Sequence, residues 1–177
     1  MRNAILFILI VLVIATVSWL ITQSVDKLEA KKGRLNMIAN LPPLYFTDPE
    51  HHGVSFQKLA NNRQTVLVLF HSDCEHCHYE AKEIASNLAR AEDVLWVFVS
   101  EEPIDTIQAF RAAYFELTNP HVVFGQSDVK HLLEIFQSVR FPAVFIYGAD
   151  GQLQKEFRGE VTFDAITHTF GSFSSAY

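Results

Sequence analysis

The sequence predicts an α/β domain built on a central mixed β-sheet flanked by helices, carried behind an N-terminal transmembrane helix. Three observations predict it. Residues 4–21 carry no charge; from Thr65 onward short β-rich apolar runs alternate with segments of helical period; and Asp150-Gly151 separates the last two β-rich runs. Alternation of the second kind packs helices on a sheet, and a closing hairpin adds antiparallel strands to it.

Taken as a helix, residues 4–21 would extend about 27 Å, close to the hydrocarbon thickness of a bilayer. Trp19 near the far end suits the interface, and polar residues take over from Thr22. The stretch exceeds the apolar core of a cleaved secretory signal. Thr22 and Ser24 make only a weak cut site, and no cysteine follows for lipid attachment, so the anchor (residues 1–22) is expected to stay in place. Flanking charge opposes export: Arg2 precedes the run, whereas Lys27, Lys31, Lys32 and Arg34 follow it, partly offset by Asp26 and Glu29. Cysteine usage points the other way. A pair spaced for reversible bonding fits a compartment where disulfides persist, which places the domain outside the cytoplasm. Residues 23–41, charged and then polar and closed by Leu41-Pro42-Pro43, are expected to form a stalk, and residues 42–177 the folded domain.

Composition narrows the function. With 177 residues, 49% of them apolar and 15 phenylalanines, the chain can bury one good core. A net charge of -6 with singly scattered basic residues offers no stripe for successive phosphates, so nucleic acid is excluded as the main ligand.

The elements follow in order. Residues 65–70 predict a strand buried on both faces. Ala81, Ile84, Ala85 and Leu88 give one apolar face to a helix over residues 74–90. Residues 94–99 predict a strand, 104–117 a helix opened by Pro103, 121–124 a short strand and 129–139 another helix. Residues 143–147 and 153–157 flank Ala149-Asp150-Gly151 and predict a hairpin. Thr162 is placed to cap a last helix through Phe170, with Phe163 and Ile166 facing inward. His51 and His52 fall in an expected loop, and Phe110, Phe115, Phe136, Phe157, Phe163 and Phe170 in the core.

The chemistry concentrates in Phe70-His71-Ser72-Asp73-Cys74-Glu75-His76-Cys77-His78-Tyr79-Glu80, where a buried strand gives way to a helix. Cysteines at i and i+3 stand one helical turn apart, which brings their Cα atoms within the window a disulfide needs. Cys74, at the exposed helix start, is the candidate nucleophile, and Cys77, one turn deeper, the resolving thiol. Unpaired N–H groups and the helix dipole favour a thiolate at Cys74, and protonated His76 reinforces this; Asp73 and Glu75 oppose it. Glu80 lies on the Cys77 side of the helix and could relay that thiol's proton, or stand as a solvated first-turn glutamate. Asp73 is expected to serve as the helix N-cap.

With these residues the chain resembles the thioredoxin superfamily, in particular the membrane-anchored TlpA/ResA-like thiol–disulfide oxidoreductases, over roughly residues 42–170. Residues 66–70 leading into Cys74-Glu75-His76-Cys77 match the active-site strand and helix. Phe141-Pro142 with residues 143–146 and Asp150-Gly151 match the cis-proline strand and hairpin. The resemblance implies that Pro142 is a cis proline beside the sulfurs, that Phe141 offers backbone to substrate, that Glu80 is the group's acidic residue, and that His76 matches the histidine of strongly oxidising DsbA-like centres. It also implies protein thiol or disulfide substrates, a membrane redox partner, a monomer, and a single-pass location in a bacterial inner membrane with the domain facing the periplasm or extracytoplasmic side. Cytochrome c maturation and envelope thiol maintenance are the roles it suggests, with no cofactor beyond the redox-active pair. Three departures stand out. Asp73 replaces the usual Trp before the first cysteine, Val68 stands where thioredoxin has a buried acid, and the inner pair Glu75-His76 is neither Gly-Pro nor Pro-His, which leaves the direction of exchange open.

Two other chemistries draw on the same residues. Cys74-Glu75-His76-Cys77-His78 satisfies the C-x-x-C-H pattern for c-type haem, with His78 as axial ligand. His71, His76 and His78 beside two thiols could complete a zinc or copper site, although His76 and His78 point about 200° apart on a helix. A peroxiredoxin-type centre needs Thr or Ser where His71 stands.

Overall fold

The computed structural model describes residues 2–170, with side chains from residue 12 onward except residue 30. The chain divides into two compact units, one ending at Asn36 and the other starting at Met37.

The first unit lies within helix α1 (Arg2–Ile38). Where a stalk is expected from residue 23, the helix continues unbroken, because Lys27, Leu28, Glu29, Lys31 and Lys32 are good helix formers with no Gly or Pro until Gly33. Among the described residues no helix is long and apolar enough to cross a membrane. The expected transmembrane helix is therefore not shown by the described residues. Its first eight residues lie outside the described side chains, and from Leu12 the apolar run soon meets Thr22, Gln23, Ser24 and charged Asp26 and Lys27. Leu12, Val13, Ile14, Trp19, Leu20 and Ile21 are all exposed.

The second unit holds β1 (Tyr45–Thr47), β2 (Gly53–Ser55), α2 (Phe56–Leu59), β3 (Thr65–Leu69), α3 (Glu75–Asn87), β4 (Leu95–Ser100), α4 (Ile104–Tyr114), β5 (Val122–Gln126), α5 (Val129–Phe136), β6 (Ala143–Tyr147), β7 (Leu153–Arg158) and α6 (Phe163–Thr167). Seven strands form one mixed sheet in the order β2-β1-β5-β4-β3-β6-β7. Neighbours β3, β4 and β5 run parallel, and β6 and β7 antiparallel to their neighbours. The α/β expectation with its closing hairpin therefore holds. That hairpin turns through Ala149-Asp150-Gly151: Gly151 adopts φ 77°, a conformation that suits glycine, and Gly148 N–H donates to Gln152 O at 2.9 Å.

Strand residues alternate between the two faces, and both faces are covered. Val66, Val68, Trp96, Phe98, Val144 and Ile146 pack with α3, α4 and α6. Leu67, Leu69, Val97, Phe145 and Tyr147 pack with Ile38, Phe46, Phe56 and α5. Phe98 stacks on Phe124 at 4.6 Å in the first layer. The hairpin of β1 and β2 was not expected, since three-residue strands leave no periodicity to read. Its turn is closed by Asp48, whose Oδ1 accepts from His52 N–H at 2.7 Å, with His51 at φ 63°.

This register positions the site. β3 lies between β4 and β6, pairing Leu69 with Val99 on one side and Ala143 on the other. The residues just beyond Leu69, those just beyond Ser100 and those just before Ala143 are thereby gathered at one end of the sheet.

Candidate active site

At that end the chain leaves β3 through Phe70, His71 and Ser72 and enters α3. Cys74 itself is the N-cap, with φ -89° and ψ 111° and no side-chain capping bond. Asp73 is therefore not the cap. Cys74 N–H donates to His71 O at 3.1 Å, and this turn delays the helix start by one residue, leaving Asp73 exposed. The Cys74 sulfur is consequently not engaged in capping and faces the opposite loop.

Both cysteines are free thiols; Cys74 is half-buried and Cys77 is 2% exposed. The Phe141–Pro142 peptide is cis, as the resemblance implies, and Pro142 is buried. Cys74 Sγ–H donates to Phe141 O at 3.6 Å, so this strand entry sits directly on the candidate nucleophile. Cys77 is pushed well above the usual thiol range. Burial contributes most, followed by its S–H hydrogen bond to Cys74 and the nearby charges of Cys74 and Glu80, against a lowering contact with the His71 backbone.

Glu80 is not a solvated first-turn glutamate. It is 1% exposed, and neither carboxyl oxygen has a hydrogen-bond partner. Burial raises it from the usual 4.5 to about 8, with a smaller push from the Glu160 charge; the Val161 backbone amide pulls the other way without reaching bonding geometry. A carboxyl near neutrality beside a hard-to-ionise thiol suits proton exchange between them.

His76 projects outward, with Nδ1 at 2.7 Å from Glu160 Oε2; the two side chains are 68% and 49% exposed. Glu75 is exposed and accepts from Tyr79 OH at 3.2 Å. The structure thus brings Cys74, Cys77, Glu80, Phe141 and Pro142 together, while Asp73, Glu75 and His76 stand on the rim.

A second layer was not anticipated from sequence. Glu102, just past the end of β4, accepts from Ser72 N–H at 2.6 Å, Ser72 Oγ–H at 2.5 Å and Ser100 Oγ–H at 3.1 Å. His78 grips the same segment from the helix. Because Ser72 O can only accept, His78 Nε2 carries the proton and donates to it at 2.6 Å, and in the neutral ring Nδ1 accepts from Tyr114 OH at 2.7 Å. His71 Nδ1 accepts from Asp73 N–H at 3.2 Å, and its ring lies 5.7 Å from that of Phe141. The loop before Cys74 is clamped from two sides. One signal could have located Glu102: sites gather at the carboxyl ends of parallel strands, and Glu101-Glu102 follows an apolar strand directly.

The same contacts bear on the other chemistries. Both His78 nitrogens are engaged within the protein, so an axial ligand at His78 would have to give up one of these bonds. His71, His76 and His78 turn to three different partners, and among the described residues no three His, Cys, Asp or Glu side chains are arranged to hold a metal ion.

A mixed sheet with a dithiol at the β3–α3 junction and a cis-proline strand facing it defines the thioredoxin-like fold. Similarity to solved structures agrees. Mycobacterium tuberculosis dsbF, described in mixed oxidised and reduced forms, matches with a TM-score of 0.62 and 19% identity over 72% of this chain and 92% of that one. A secreted M. tuberculosis disulfide oxidoreductase homologous to E. coli DsbE matches with a TM-score of 0.60 and 17% identity over 72% and 93%. BsSco, a Sco-family cytochrome c oxidase assembly protein with a disulfide switch, matches with a TM-score of 0.56 and 18% identity over 75% and 92%. At these identities the likeness establishes the fold. No family model and no curated protein sequence matches the chain.

Proposed function

We propose that this protein is a thiol–disulfide oxidoreductase that exchanges disulfides with protein substrates through Cys74 and Cys77. One observation carries the reading: a half-buried Cys74 thiol against the Phe141 carbonyl, with a sealed second thiol one turn behind it. A substrate sulfur can reach only the first thiol, so a mixed disulfide forms on Cys74 and Cys77 resolves it from behind. The half-exposed Phe141 offers backbone and ring to an extended segment of the substrate.

The finer reading is of the TlpA/ResA-like kind, a monomer held at a bacterial inner membrane with its domain on the extracytoplasmic side and served there by a membrane redox partner. The uncharged residues 4–21 and the exposed apolar side chains of α1 support the tether. Cytochrome c maturation and envelope thiol maintenance are the two roles that such a placement fits.

Trapping tests the reading. Cys77→Ser is expected to accumulate mixed disulfides on Cys74, seen as reductant-sensitive bands on non-reducing gels. Capture by Cys74→Ser alone would reverse the two roles, and capture by neither would refute exchange.

A further inference from the structure

Glu80 must return the proton it takes from Cys77, and the thiol face gives no route, since Cys77 seals it. On the other flank, between α3 and residues 160–162, a groove of about 290 Å³ opens to solvent, with Glu80 among its lining residues. Its two carboxyl oxygens are buried and without partners, so the carboxyl that borders this groove carries hydrogen-bonding capacity the described protein groups leave unmet. Glu160 stands on the same groove, half exposed, with its carboxylate on His76.

Resting on the exchange reading above, we propose that this groove is the proton port of the site and that Glu160 is the positioning residue that passes protons between Glu80 and bulk water. The port works as follows. Cys77 Sγ–H gives its proton to the Glu80 carboxylate. The Cys77 thiolate attacks Cys74 Sγ of the mixed disulfide, the Cys74–Cys77 bond forms, and the substrate sulfur leaves as a thiolate, reduced by the pair's two electrons, to take a proton from water. Neutral Glu80 then releases its proton to groove water and Glu160. Exchange in the opposite direction runs the same path inward.

Charge around the port fits this. Glu160 and Cys77 face Glu80 from the loop and from α3, and Tyr79, Lys82 and Glu83 complete the titratable groups of the groove. The Glu160 charge also makes Glu80 hold its proton more tightly, a smaller push in the same direction as its burial.

The test uses the full chain with a chromogenic aryl thiol loaded on Cys74, whose release reports attack by Cys77. Glu160→Gln is expected to move the midpoint of the release-rate profile to lower pH. Ser86→Trp, an exposed helix position on the groove, is expected to slow release about tenfold or more while leaving alkylation of Cys74 unchanged. Release at the wild-type rate and pH midpoint in both variants would overturn the port alone. No release even in the wild type would overturn the port and the exchange reading together.

Discussion

Replacing Cys74 with serine is expected to reduce exchange with protein disulfides to the uncatalysed rate. The half-buried Cys74 sulfur is the only one of the pair that an incoming sulfur can touch, since Cys77 is 2% exposed and held as a thiol by burial. A hydroxyl in its place ionises far less readily and forms no disulfide. The variant is expected to fold normally, because Cys74 makes no capping bond, its donation to Phe141 O is long, and a serine hydroxyl can take the place of the sulfur beside Cys77. Turnover of a mixed-disulfide model substrate, with urea unfolding as control, checks both halves. Retained turnover would move the chemistry to another residue.

The second large effect is expected at Glu80. Glu80→Gln removes the proposed base for the Cys77 proton, and the resolving step should slow by about 10²-fold. Stability should change with pH as well. Glu80 rises from about 4.5 in the unfolded chain to about 8 in the folded protein, so the folded state binds more protons between those values. Its contribution to stability is fully present below about pH 4.5 and is lost as pH rises through about 8, at up to about 1.4 kcal/mol per pH unit. Urea midpoints of the wild type should therefore fall across that window relative to those of Glu80→Gln. Parallel curves for the two proteins would contradict a buried, neutral Glu80.

Much of the fold was legible because each strand of the core is buried on both faces and announces itself as an apolar run, as residues 65–69 and 143–147 do. Cys74 and Cys77 were legible for a related reason, since local spacing on a strand–helix junction fixes their geometry, whereas Pro142 was legible only through the resemblance to the thioredoxin superfamily. Asp73 misled. Its residue type suits a cap, but the backbone turn from His71 to Cys74 decides which residue occupies the position. Glu102 and Glu160 were beyond local reading, because the sheet register brings residues 30 and 84 positions away to Ser72 and His76. Glu80 lay between: its place on the helix was readable, its burial was not, since burial depends on where the distant residues 160–162 run beside that flank.

The central claim is that the two sulfurs form one reversible couple with a single accessible member. Equilibration of the full chain in glutathione buffers, followed by alkylation and mass spectrometry, tests it most directly. One two-electron transition is expected, with both thiols appearing and disappearing together and with brief native alkylation confined to Cys74. Independent titration of the two cysteines, or first labelling at Cys77, would contradict it.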